Sequence, residues 1–120
     1  MIKIIELRKV IQTALSSVGR VYYSQAPDGA TFPYLVFDFP NSTDDGSLER
    51  LIMDLDGWDD SADTTILETL MDTADQILHR ANYYTAGTVC ASIYRENRLS
   101  LTDPDRRIRR RKIIYQVRTY

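Results

Sequence analysis

Between Ile66 and Ala81 apolar side chains recur at three- and four-residue spacing without a break: Ile66, Leu67, Leu70, Met71, Ala74, Ile77, Leu78 and Ala81. The stripe predicts an amphipathic helix over about 64–80, with Leu70 and Ala74 at its buried centre. Ser61 reads as its cap. Asp63 lies near the positive end of the helix dipole, and His79 and Arg80 lie near the negative end, where cations are favoured. A helix with one apolar stripe gains most of its stability from packing, so the rest of the chain must supply a surface for it to cover.

That surface is legible on both sides of the stripe. Ile4, Leu7, Ile11, Ala14, Leu15 and Val18 mark a first helix over about 3–18, stopped by Gly19. Val21 to Ser24 is a short β-rich run leading into the turn Ala26-Pro27-Asp28-Gly29, and Tyr34 to Phe39, bounded by Pro33 and Pro40, is a second strand. Leu51, Met53 and Leu55 alternate with Ile52, Asp54 and Asp56 up to Trp58, the period of a strand with one face in the core. Residues 88–95 return to β character, a polar connection runs through Asp103-Pro104-Asp105, and residues 107–119 form a last strand. The polar stretch from Asn41 to Glu49 is too long for a tight hairpin and reads as a loop that orders on docking.

The resulting order is α-β-β-β-α-β-β within a single domain, residues 1–120. The expected fold class is α+β: a two-layer sandwich with a four- to five-stranded antiparallel or mixed sheet and two helices on one face. The other sheet face, with Ile52, Trp58 and Ile114 among polar neighbours, is apolar enough to suggest burial by another subunit.

Charge is segregated along the chain. Residues 1–37 hold four bases and two acids, residues 38–75 hold twelve acids and only Arg50, and residues 76–120 hold ten bases and three acids. The formal net charge of −2 therefore hides blocks of −11 and +7. Two copies of such a chain can meet acidic face to basic face; equally, the blocks can neutralise each other within one monomer. The loudest feature is Arg106-Arg107-Ile108-Arg109-Arg110-Arg111-Lys112, six bases in seven positions. On a strand this run splits, with Arg110 and Lys112 on one side and Arg109 and Arg111 on the other with Ile113, Tyr115 and Val117. Three roles stay open: salt bridges within or between subunits, a solvated edge, or phosphate binding, which lacks interleaved aromatics or a reader motif. Because Arg110 and Lys112 project from the side opposite Ile113, Tyr115 and Val117, they are expected to be surface charges whose change to Glu leaves the fold nearly intact and disrupts assembly instead.

Other chemistries lack their residues. One cysteine and one histidine allow neither an internal disulfide nor a Cys/His zinc site. Cys90, between Val89 and Ala91, is expected in the core. The acids from Asp54 to Asp60 miss the calcium-loop pattern, and the chain contains no Gly-rich phosphate loop, no GxSxG and no HExxH. The expectation is a non-enzymatic chain with no metal and no cofactor. Glu6 and Arg8 interrupt any signal-peptide-like start, and no apolar run reaches the ~20 residues of a membrane-spanning helix, so no membrane is expected as a partner.

In this order of elements the chain resembles the tail-completion proteins of long-tailed bacteriophages, also called tail terminator or tail-to-head joining proteins. The likeness rests on Ser17-Val18-Gly19-Arg20-Val21-Tyr22, on Ala26-Pro27-Asp28-Gly29-Ala30-Thr31-Phe32-Pro33-Tyr34-Leu35-Val36-Phe37, on a strand ending near Trp58, on the long helix, and on Arg111-Lys112-Ile113-Ile114-Tyr115-Gln116-Val117. The resemblance implies a structural protein of the virion tail or neck, assembled in the host cytoplasm, whose copies form a ring, commonly a hexamer. That ring caps the tail tube and meets tail-tube and head-connector proteins. No site residue transfers by matching. The residues themselves nominate Asp54, Asp56, Trp58, Arg109, Arg110, Arg111 and Lys112 as the assembly interface, since a ring needs two different patches that fit. The alternatives are another connector or neck component and a small nucleic-acid-binding accessory domain.

Overall fold

The alternation seen at residues 51–58 runs through a full eleven-residue strand, and that strand sets the register of the sheet. The computed structural model describes residues 4–44, 49–85 and 89–119. In chain order they form α1 (Ile4–Leu15), β1 (Val21–Tyr23), β2 (Tyr34–Asp44), β3 (Glu49–Asp59), α2 (Thr65–Leu78), β4 (Asn82–Thr85), β5 (Val89–Thr102) and β6 (Arg109–Thr119). The strands lie in the order β1-β2-β3-β6-β5-β4. β1 and β2 pair in parallel; the other pairs among the described residues are antiparallel.

The sheet has one apolar face. Leu35 and Phe37 on β2, Leu51, Met53 and Leu55 on β3, Ile113, Tyr115 and Val117 on β6, and Ile93 on β5 point to the same side and are buried. Leu7, Ile11 and Leu15 of α1 and Leu67, Met71, Ala74 and Leu78 of α2 close over them in one cluster. Each such aliphatic side chain contributes ~1.5–3 kcal/mol when fully buried, so this cluster is the main source of stability. Gly57 faces the same way, and a Cβ there would lie 2.7 Å from Met71 Sδ and 3.0 Å from Leu35 Cδ2 and Leu67 Cδ1. Its missing side chain is what lets α2 approach β3.

Several expectations are corrected. The sheet has six strands and curls, where four or five in a two-layer sandwich were expected. The added strand, β4, is four residues long, too short to show a period. β5 continues to Thr102 through residues read as a connection, because the register shift between Arg95 and Asn97 breaks the alternation. β2 likewise passes Pro40, which sits within the shift between Asp38 and Asn41, and reaches Asp44, paired with Glu49. Much of the supposed docking loop is thus ladder; its residues 45–48, like residue 3 of the expected first helix, lie outside the described residues.

The helix α2 also sits differently. Thr64 occupies the cap position, while the Ser61 hydroxyl accepts from the Asp63 N–H at 3.2 Å. Asp63 accepts from the Thr65 hydroxyl at 2.6 Å and N–H at 2.9 Å, bonds that hold its carboxyl below the usual range. The buried stripe is Leu67, Met71, Ala74, Asp75 and Leu78, so Ala74 is central as expected. Leu70 is only half-buried at the rim, and Ile66 is 62% exposed. His79 and Arg80 fall beyond the helix, and Arg80 takes φ 65°. Cys90, expected in the core, is half-buried.

Candidate assembly surface

The face of the sheet turned away from the helices is built from cross-strand rows. The register aligns Tyr34, Trp58, Arg110 and Leu101 in one row and Val36, Asp56, Lys112 and Leu99 in the next; Asp38, Asp54, Ile114 and Asn97 follow. Tyr34 stacks on Phe32 and Trp58 with centroid separations of 5.3 and 5.5 Å, and the Arg110 guanidinium lies 5.0 Å from the Trp58 ring centroid. Arg110 Nη2 donates to Asp56 Oδ1 at 3.1 Å; Lys112 Nζ lies 3.3 Å from Asp54 Oδ2 and 3.8 Å from Asp56 Oδ1. The structure therefore brings five of the seven nominated residues together: Asp54, Asp56, Trp58, Arg110 and Lys112.

These ion pairs are not solvated. The Asp56 and Lys112 side chains are only 12% and 19% exposed. Burial raises the Asp56 carboxyl above its ordinary pKa, with Lys112 and Arg110 opposing that rise. Such a pair contributes little net stability, yet breaking it leaves a buried charge without a partner. The acidic and basic blocks neutralise each other here within one chain, which corrects the reading of Arg110 and Lys112 as freely exchangeable surface charges.

Arg109 and Arg111 stand elsewhere. Arg111 points to the helix side and meets Glu68 of α2 at 3.3 Å; Arg109 donates to the Arg106 carbonyl at 2.6 Å. Arg107 meets Asp105 at 2.9 Å, and its bonds hold the Asp105 carboxyl at about 2. Four of the six bases in the 106–112 run thus have acid partners, which leaves less charge for phosphate than the composition promised.

A second polar cluster, which no pattern in the sequence signals, lies under α2. Asp75 Oδ1 accepts from the Tyr115 hydroxyl at 2.7 Å, and Oδ2 accepts from Arg95 and, at 3.1 Å, from Arg98. Burial raises the Asp75 carboxyl, but the bonds from Tyr115, Arg98 and Arg95 outweigh it and bring the pKa below the ordinary value. Burial and the neighbouring carboxylate push the Tyr115 hydroxyl upward. Asp75 lies one position past Ala74, so a helical count alone places it beside the stripe rather than in it. Nearby, His79 Nδ1 accepts from the Arg95 N–H at 2.9 Å, at the register shift of β5. Among the described residues no group of three or more His, Cys, Asp or Glu is arranged to hold a metal, and no helix is long and apolar enough to cross a membrane.

The outer face of the curled sheet provides a partly aromatic, charge-balanced surface, the kind that makes protein contacts. The family model described as tail completion protein gp17 matches residues 6–120. The chain belongs to that family. This tail completion protein is accordingly a structural component of a phage tail, associated with the virion. Its fold is similar to that of a chain in a solved structure described as the virion of a native gene transfer agent particle. The TM-score is 0.68 at 13% identity, covering 92% of this chain and 84% of that one. No significant match was found among curated proteins.

Proposed function

We infer that copies of this chain form a ring, with six the expected number, that caps the tail tube and joins it to the head. Family membership over residues 6–120 is the observation that carries the reading. The outer sheet face supports it: Trp58, Tyr34, Phe32 and Ile114 are half-buried there, and both helices lie on the other face. With Asp54, Asp56, Arg110 and Lys112 paired internally, the contact offered to a neighbouring subunit is the aromatic row with its charge-balanced border. Arg106 and Arg109 remain as bases without acid partners among the described residues.

The test is the native mass of the purified protein, alone and with tail tubes that lack it, together with electron microscopy of tube ends. Closed rings on capped tubes are expected. A protein that stays monomeric at every concentration, with and without tail components, overturns the ring. DNA retention that falls by orders of magnitude over a fourfold salt increase, with no ring, would favour the nucleic-acid reading.

A further inference from the structure

The sheet is uncovered along half of each margin, and the two open halves lie at diagonally opposite corners. On one margin β1 covers β2 only at Leu35 to Phe37. The Leu35 N–H donates to Arg20 O and Phe37 O accepts from the Ser24 N–H, both at 2.8 Å, so odd-numbered residues of β2 face that margin. The extra residue between Asp38 and Asn41 reverses the phase, and Ser42 then turns its backbone N–H and C=O outward.

On the other margin β4 covers β5 only at Val89 to Ser92. The outward N–H groups of Ile93 and Arg95 bond to Ala81 O and His79 Nδ1. The extra residue between Arg95 and Asn97 reverses the phase here too, and the outward places beyond it fall to Arg98, Ser100 and Thr102. Ser42, Ser100 and Thr102 are exposed, and among the described residues their outward backbone groups have no partner. Neither Asn41-Ser42-Thr43 nor Leu99-Ser100-Leu101-Thr102 contains a charge.

We propose that the two open halves fit each other: the β5 edge at Ser100 of one copy adds to the β2 edge at Ser42 of the next, head to tail. The inference rests on the ring reading and names the seam that closes the ring. A contact between two different edges has no two-fold axis; it propagates from copy to copy until the rotation closes. β2 and β5 run in opposite directions within the sheet, so the added pair is antiparallel. The short strands β1 and β4 cover opposite ends of the sheet, so neither obstructs the half that the neighbour uses.

The stagger between the corners suits closure. Leu35, Gly57, Arg111 and Ser100 share one row, and Ser42, Leu51, Val117 and Ile93 share another, six residues away along β3. Joining Ser100 to the partner subunit's Ser42 therefore moves each copy ~20 Å along the strands for every ~19 Å across the four strands β2, β3, β6 and β5. That step inclines the strands by about 45° to the ring axis, close to the ~35–45° of closed barrels. Ser100 exchanges two N–H···O bonds with the partner subunit's Ser42. On the outer face Leu99 and Leu101 lie opposite the partner subunit's Thr43 and the partner subunit's Asn41, which brings the Leu101 end of the aromatic row to the seam.

Cross-linking in the full-length Cys90→Ser protein, alone and on tail tubes, tests the seam. Opposed hydrogen-bonded residues of an antiparallel pair lie ~5.5 Å apart at Cα, within the ~4.4–6.8 Å that a disulfide spans. Ser42→Cys and Ser100→Cys should each fail to cross-link by themselves under mild oxidation. Mixed, the two single variants should give dimers and nothing larger, and the double variant should give a ladder of bands ending at the ring. Thr43→Cys, whose side chain points to the other face, should not link to Ser100→Cys. Rings seen by electron microscopy without these links, equal linking at positions 42 and 43, or dimers of Ser100→Cys alone would overturn the seam and leave the ring standing. A protein that stays monomeric in every mixture would overturn the ring reading, and the seam with it.

Discussion

At Gly57 two side chains of α2, Met71 and Leu67, and Leu35 of β2 fill the space that a Cβ would take. Gly57→Val should cost about 1–3 kcal/mol through overpacking, read as a lower denaturant midpoint with an unchanged slope. Asp75 and Asp56 make a paired test of burial against partnering. The Asp75 carboxyl is held below its ordinary pKa, so its contribution is complete above the unfolded value of about 3.9 and is lost as pH falls through the folded value. Asp56 works in the opposite sense: its raised carboxyl means that stability falls as pH climbs from the ordinary carboxylate value through the folded one. Asp75→Asn should flatten the acid limb of a stability–pH profile and Asp56→Asn should steepen it. Identical profiles for the two variants would contradict these assignments. Asp75→Ala, which leaves two arginines and a tyrosine hydroxyl facing a gap, should cost about 3–5 kcal/mol.

Within an element, position on the helix separates residues that hydropathy treats alike. Leu67 is buried under α2, Leu70 lies at the rim and Ile66 faces water. Substitution by alanine should cost about 2–5 kcal/mol at 67, less at 70, and within ~0.5 kcal/mol at 66. Equal losses at the three positions would mean that α2 is rotated from the orientation described. For β6, the Arg110→Glu, Lys112→Glu double variant would place four carboxylates on neighbouring rows with Asp54 and Asp56. The expected result is a loss of several kcal/mol and a much lower melting temperature, where a solvated strand would show almost no change. Exchanging the partners of one pair, Asp54→Lys with Lys112→Asp, should recover much of what Lys112→Asp alone loses.

For the whole molecule, the segregated charge along the chain becomes a stitched one in space. The −11 and +7 blocks meet at Arg110–Asp56, Lys112–Asp54, Arg111–Glu68 and the Asp75 cluster, so much of their attraction is internal. The half-buried pairs are weakly screened, and exposed ones such as Arg98–Asp72 contribute little. Raising salt from 0.1 to 1 M should therefore change the melting temperature little. If the ring rests on the aromatic outer face, its native mass should survive the same change; dissociation at 1 M would show that exposed charge holds it.

The sequence by itself determined both helices and five of the six strands, because their periodicity is local. The period of two in β3, the three- and four-residue spacing in both helices, and the parity that separates Arg110 and Lys112 from Arg111 follow from backbone geometry within one segment. The family resemblance was legible on the same grounds, in the order of elements and in runs such as the segment from Ala26 to Phe37. Tertiary structure decided everything that depends on a second segment. The pairing of β3 with β6 gave Asp54, Asp56, Arg110 and Lys112 partners within the chain, and α2 drew Asp75 into the core once Tyr115, Arg95 and Arg98 were there to receive it. The shifts at Asp38–Asn41 and Arg95–Asn97 carried β2 and β5 beyond their sequence limits, since a bulged ladder is held by its neighbour and not by its own alternation. The value of a charge in this protein depends on which segment lies 3 Å away, a distance that no single segment encodes.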